Sequence, residues 1–199
     1  MQSPLLKYGL IAVLFCIVIL NFFKTFNLYS NPDFPYDGRN VHIGGKLWLK
    51  GENPYNDKLL NAEWDKIIIE NSIESSKPPG FPDSGFIYPF WSVPMLAPYY
   101  FVTWPLVKYF IWLLSFIFLL IIVWFSYSSF KENGLSLFLY FLIIFAFKST
   151  CVALALGQPF LFCLAALLVS WYYYQKNKDT IAGLVLGIAM VKITLCLPF

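Results

Sequence analysis

PLVKYFIWLLSFIFLLIIVWFSY, residues 105–127, decides the class of fold. Its only charge is Lys108. A bilayer core about 30 Å thick is crossed by roughly 20 apolar residues, each rising about 1.5 Å. The run is long enough to cross, and it predicts a membrane span. Upstream, residues 5–26 are apolar apart from Lys7, Asn21 and Lys24, and predict the first span. Its two lysines can snorkel to opposite interfaces. A cleavable signal peptide is the alternative, but that has an apolar core of only about 7–15 residues and needs a small-x-small site after it. No such site follows here. Downstream, residues 135–156 predict a third span, and Gly157-Gln158-Pro159 turns the chain. Residues 160–174 predict a short fourth span, Lys176-Asn177-Lys178-Asp179 forms a polar loop, and residues 180–199 predict a fifth span.

Composition agrees with this reading. Charged residues make up 13% of the chain, against about 25% in soluble domains. Aromatics reach 21%, and Tyr and Trp favour bilayer interfaces. Cys16, Cys151, Cys163 and Cys196 all lie in apolar segments. They read as buried small hydrophobes rather than a disulfide or metal framework. The expected fold is an all-α membrane protein, a polytopic helical bundle forming one transmembrane domain over residues 1–199.

Charge placement predicts sidedness. Residues 27–88 hold nine of the eleven acidic residues but only six of the fourteen basic ones. The rest of the chain carries eight basic residues against two acidic. Lys-rich short loops favour the cytoplasmic side, so residues 27–88 are expected to form a long extracytoplasmic first loop. No basic face suits nucleic acid, and membrane lipids are the expected surroundings.

Within that loop, Asn31-Pro32 and Phe34-Pro35 predict a turn. A helix is expected over 37–50, with Val41, Gly45 and Trp48 on one face. A second is expected over 57–72, with Asp57 as N-cap, Leu60, Trp64, Ile67 and Ile68 on one side, and Glu63 paired with Lys66 outside. Both read as interfacial helices lying on the membrane. Residues 75–85 read as a loop. Residues 86–103 are apolar but contain Pro89, Pro94 and Pro98. They predict a re-entrant or interfacial segment rather than a straight span. If they did cross, every later helix would reverse.

Asp33 stands about seven residues beyond the first apolar run, at the membrane–water boundary. A carboxylate there can take a proton from a hydroxyl while a lipid-borne substrate stays in the bilayer. The plainer reading is a turn residue satisfied by backbone donors. Asp37 has the same two readings, with helix capping favoured. Arg39, His42 and Lys46 share or border one helix face and suit an anionic phosphate. Alternatively Arg39 and Lys46 anchor the membrane surface, and His42 is a surface polar residue. Lys148, Gln158 and Lys192 are the polar groups of the later spans. Lys192 lies roughly 18 Å along its predicted helix, past the midplane and towards the outer face. Ionisable groups at such depth are functional candidates, with snorkelling as the alternative. Metal-site, nucleotide-loop and nucleophile-elbow patterns are absent from the sequence, and the single His argues against a triad.

Asp33-Phe34-x-Tyr36, Gly51-x-Asn53-Pro54-Tyr55, Tyr88-Pro89, Gly157-Gln158, and Ala182-Gly183 with Gly187, Lys192 and Pro198 occur in that order. From about residue 31 onwards this series resembles glycosyltransferase family 87, whose members have the GT-C fold and are related to polyprenol-phosphate-mannose-dependent mannosyltransferases. One departure is Tyr88-Pro89-Phe90, where many relatives carry a second proline. The resemblance implies an inverting hexosyltransferase of the cell membrane, using a polyprenyl-phosphate sugar donor and a lipid or glycan acceptor. No cofactor is expected, since no ligand cluster in the sequence argues for one. Asp33 matches the position of the catalytic carboxylate, and Tyr36, Asp37, Arg39, His42, Tyr55, Gln158 and Lys192 are the candidate substrate-binding residues. Family members are considerably longer. The expectation is therefore an incomplete enzyme: a fragment, a truncated reading frame, or one part of a split enzyme whose C-terminal half is encoded separately. The competing expectation is a non-catalytic polytopic protein, such as a lipid-carrier flippase or scaffold component.

Overall fold

The computed structural model describes residues 4–29, 36–71, 86, 88–130 and 135–192. Every regular element among them is helical: α1 Pro4–Tyr29, α2 Tyr36–Leu49, α3 Asp57–Glu70, α4 Trp104–Phe130, α5 Leu137–Ala146, α6 Lys148–Leu156, α7 Phe160–Gln175 and α8 Asp179–Ala189. Short 3₁₀ turns occupy Phe90–Ser92, Pro94–Tyr99 and Met190–Lys192. Asp33 with the turn expected around it, the loop expected over 75–85 and the end of the expected fifth span lie outside the described residues.

α1 over Tyr8–Leu28 and α4 are each long and apolar enough to cross a membrane. α1 exposes Tyr8, Leu10, Val13, Leu20 and Phe23 along its length. An apolar surface of that extent belongs in lipid, so the chain is a membrane protein. Cys163 is buried as expected, whereas Cys16 lies exposed on α1.

The expected continuous span over 135–156 is broken. α5 and α6 meet at 68°, with Phe147 extended between them (φ −64°, ψ 130°). A break within lipid leaves carbonyls without helical donors, and unsatisfied groups there cost several kcal/mol. Here α1 supplies the donor. Asn21 Nδ2 reaches Phe145 O at 3.3 Å and Ala146 O at 3.4 Å. One turn on, Thr25 Oγ1 donates back to Asn21 O at 2.7 Å and lies 3.2 Å from Cys151 Sγ in α6. These contacts also make α1 part of the bundle.

α2 is packed on two sides. On one, α3 begins at an N-cap that is Asn56, not Asp57. The Asn56 Oδ1 accepts from Lys58 N at 3.0 Å and Leu59 N at 3.4 Å. Asp57 is the first helical residue, where its charge faces the positive end of the dipole. Leu60, Trp64 and Ile67 are buried as expected. Glu63 is paired with Lys66, but not outside. It is buried, with Lys50 Nζ at 2.5 Å and Lys66 Nζ at 3.5 Å.

On the other side lies the 86–103 segment. Phe86 sits against Gly44 and Tyr100 against Gly45, so close that a Cβ on either glycine would overlap the ring. Both ends of the segment therefore rest on adjacent residues of one helix. It doubles back and does not run straight across. Its carbonyls are met locally, with Ser92 Oγ on Pro89 O at 2.5 Å and Tyr100 Oη on Val93 O at 2.7 Å. Wrapped this way, α2 buries Arg39, residues 41–45 and Leu47. The expected face is only partly right, because Trp48 is exposed. α2 is thus a core helix rather than one lying on a surface.

Two apolar cores result among the described residues. One joins α2, α3 and residues 86–111 to Cys163 and Val191. The other packs α4 against α5, α6 and α7 through Leu119, Val123, Phe145, Leu154 and Leu161. α8 lies along α7, fastened by Ser170 Oγ donating to Ala182 O at 2.8 Å.

Candidate functional site

The site forms where the helix ends meet. α6 closes at Gly157, whose left-handed backbone (φ 63°, ψ 36°) suits glycine. The N–H groups of Gly157 and Gln158 return to the carbonyls of Leu154 and Ala153, both at 3.3 Å. This Schellman closure holds the Gln158 side chain at the turn into α7. Its Nε2 donates to Oδ2 of Asp37 at 2.5 Å. Asp37 is in the first turn of α2, where a negative charge is favoured by the helix dipole. One hydrogen bond thus ties the segment just after Asp33 to the turn between two later helices.

Tyr88 lies close enough to Asp37 to feel its charge. Burial, reinforced by Asp37, Tyr99 and Cys163, pushes the Tyr88 phenol well above its ordinary range, so it stays protonated. The Tyr55 hydroxyl donates to Tyr88 O at 2.6 Å, and its ring meets Phe86 edge-on at 5.6 Å. Lys192 ends the 3₁₀ turn after α8. Its Nζ stands 5.9 Å from the centre of the Phe160 ring, two residues beyond Gln158. Tyr36 opens α2. Tyr55, Asp37, Gln158 and Lys192 therefore gather at one end of the bundle, around Tyr88 and Phe160. The role of Tyr88 was visible in sequence only as the residue before Pro89.

Arg39, His42 and Lys46 do not form the expected cationic face. The Arg39 guanidinium is buried 4.9 Å over the Trp64 ring. His42 is wholly buried rather than at the surface. Its Nδ1 is 2.6 Å from Tyr99 O, and a carbonyl only accepts, so Nδ1 bears the proton. Nε2 makes no hydrogen bond. Burial lowers the His42 pKa to about 4, with the Tyr99 carbonyl opposing and Lys46 adding to the shift. A ring that is neutral at pH 7 cannot attract phosphate as a cation. Glu63, by contrast, is an ion. Burial raises its pKa, but the Lys50 hydrogen bond and charge, with Lys66, outweigh that and hold it below the ordinary value. Lys148 is exposed at the start of α6, a helix length away from Gln158.

Among the described residues, no three His, Cys, Asp or Glu side chains come together as a metal site. What the site offers is a carboxylate, an amide donor, a protonated phenol and an ammonium group at a helix-end rim. Such a set can hold a polar head carrying hydroxyls and a phosphate while an apolar tail stays among the helices. No family model matches the chain, and no curated protein or solved structure matches it either.

Proposed function

We propose that the chain is a multi-pass GT-C-type glycosyltransferase that moves a hexosyl group, mannosyl in the nearest analogy, from a polyprenyl-phosphate donor to a lipid or glycan hydroxyl. The observation that carries this reading is the Asp37–Gln158 hydrogen bond. Segments that resemble family 87 are scattered over residues 33–198, and the bond joins Gln158, in one of them, to Asp37, the residue that follows another, 121 residues away. Tyr55, Tyr88 and Lys192 gather at the same place. In this reading the short basic loops face the cytoplasm, and residues 27–88 with the site lie outside.

The Asp33 carboxylate accepts the proton of the acceptor hydroxyl. The oxygen attacks the anomeric carbon, and the bond from that carbon to the phosphate oxygen breaks with inversion. The electron pair leaves on the polyprenyl phosphate, whose charge Lys192 offsets. Asp37, four residues after Asp33 in the sequence, is itself held by Gln158.

The test uses the chain in proteoliposomes with tritiated mannosyl polyprenyl phosphate and extracted membrane glycans as acceptors. Wild type should transfer label, and Asp33→Asn should reduce transfer by roughly 10²–10⁴-fold with insertion unchanged. Equal transfer by both removes Asp33 as the base. No transfer by wild type, with fluorescent polyprenyl phosphate crossing the bilayer instead, replaces the enzyme with a lipid-carrier translocator.

A further inference from the structure

The break between α5 and α6 carries a feature that glycosyl transfer does not use. A cavity of about 10 Å³ lies beside the break, lined by Asn21, Thr25, Trp112, Phe145 and Cys151 among others. A water molecule needs roughly 10–15 Å³ of such space and two to four polar partners. The space is therefore at the lower limit for one water.

The walls supply the partners. Trp112 Nε1, a donor only, is buried and makes no hydrogen bond. The Asn21 amide nitrogen already serves Phe145 O and Ala146 O, leaving its oxygen to accept. Thr25 Oγ1 gives its proton to Asn21 O and keeps a lone pair. Cys151 Sγ, 3.2 Å from Thr25 Oγ1, is a weak further partner. Four helices, α1, α4 and the two sides of the break, thus converge on one water-sized space. Asn21 lies about 20 Å along α1 from Tyr8, roughly two thirds of the way through a ~30 Å core. Bulk water does not reach that depth, and sharp helix breaks there are tolerated where neighbouring groups and ordered water meet the freed polar groups.

We infer that this cavity binds a single structural water, accepting from Trp112 Nε1 and donating to Asn21 Oδ1 and Thr25 Oγ1. The water completes a polar clasp by which α1 and α4 hold the α5–α6 break at its angle. It gives the buried indole N–H the partner it otherwise lacks.

The test is water-edited solid-state NMR of the full chain in liposomes, with ¹⁵N-indole tryptophan. The Trp112 signal is assigned by its loss in Trp112→Phe, and the exposed Trp48 and Trp91 serve as positive controls. A cross-peak from a slowly exchanging water to the Trp112 indole proton is expected. Thr25→Val keeps the side-chain shape and removes one acceptor, so it should weaken that cross-peak several-fold. Absence of the cross-peak while both controls show theirs overturns the site. A cross-peak unchanged in Thr25→Val overturns the three-group clasp.

Discussion

Removing the Gln158 side-chain amide should loosen the whole helix-end site, and the cost can be worked from its geometry. Gln158→Leu keeps the bulk and deletes the donor that reaches Asp37 at 2.5 Å. Hydrogen bonds to charged groups contribute about 1.5–3 kcal/mol net. Both partners are half-buried, so water can replace part of the loss, which brings the expectation to about 1–2 kcal/mol. Asp37 keeps its helix-dipole contribution, about 0.3–1 kcal/mol, in the presence or absence of Gln158. A double-mutant cycle therefore isolates the bond. Wild type, Gln158→Leu, Asp37→Ala and the double variant would be unfolded in bicelles, following tryptophan fluorescence. The coupling energy should be about 1–2 kcal/mol, because residues in contact do not add. Additivity within about 0.3 kcal/mol would refute the contact, and with it the convergence on which the proposed function rests.

Other expectations follow from single contacts. Gly45→Ala drives a Cβ into Tyr100, whose hydroxyl is fastened to Val93 O, and should destabilise by about 1–3 kcal/mol; Gly183→Ala, which meets nothing within 4 Å, should show no such loss in the same unfolding assay. His42 has a folded pKa of about 4 against 6.5, so the unfolded chain binds the extra proton between those values. Stability is then full above about pH 6.5 and falls as pH drops towards 4, by about 3 kcal/mol, and in His42→Phe that part of the pH–stability slope should vanish. Asn56→Ala should cost about 1 kcal/mol through loss of the α3 cap, whereas Asp57→Asn should cost less than half of that, measured by the same unfolding midpoint.

Elements whose cause is local were legible in the sequence. α4 follows from its own apolar length. α2 and α3 begin and end within a residue or two of the expected bounds, because Asn56, Gly51 and the apolar spacing act over one or two turns. The proline-rich 86–103 segment was recognisable as a stretch without one long helix because proline disrupts a helix wherever it sits. The same local reasoning misplaced His42, Arg39 and Glu63. Periodicity finds one buried face, but α2 has a neighbour on each side, and a second buried face leaves no mark on the spacing. Lys50 sits in the turn after α2 and 13 residues from Glu63, so no i+3 or i+4 rule pairs them.

Apolar length and charge balance in the sequence alone determine a helical membrane protein with an acidic stretch between its first two long helices, since both depend only on which residues are near in the chain. The bend at Phe147 and the meeting of Asp37 with Gln158 were decided by tertiary structure. Each needs a partner more than 120 residues away: the Asn21 amide that makes a broken helix tolerable in lipid, and a turn held rigid enough to aim one amide at one carboxylate. Packing brings those groups together, and no local pattern encodes their distance.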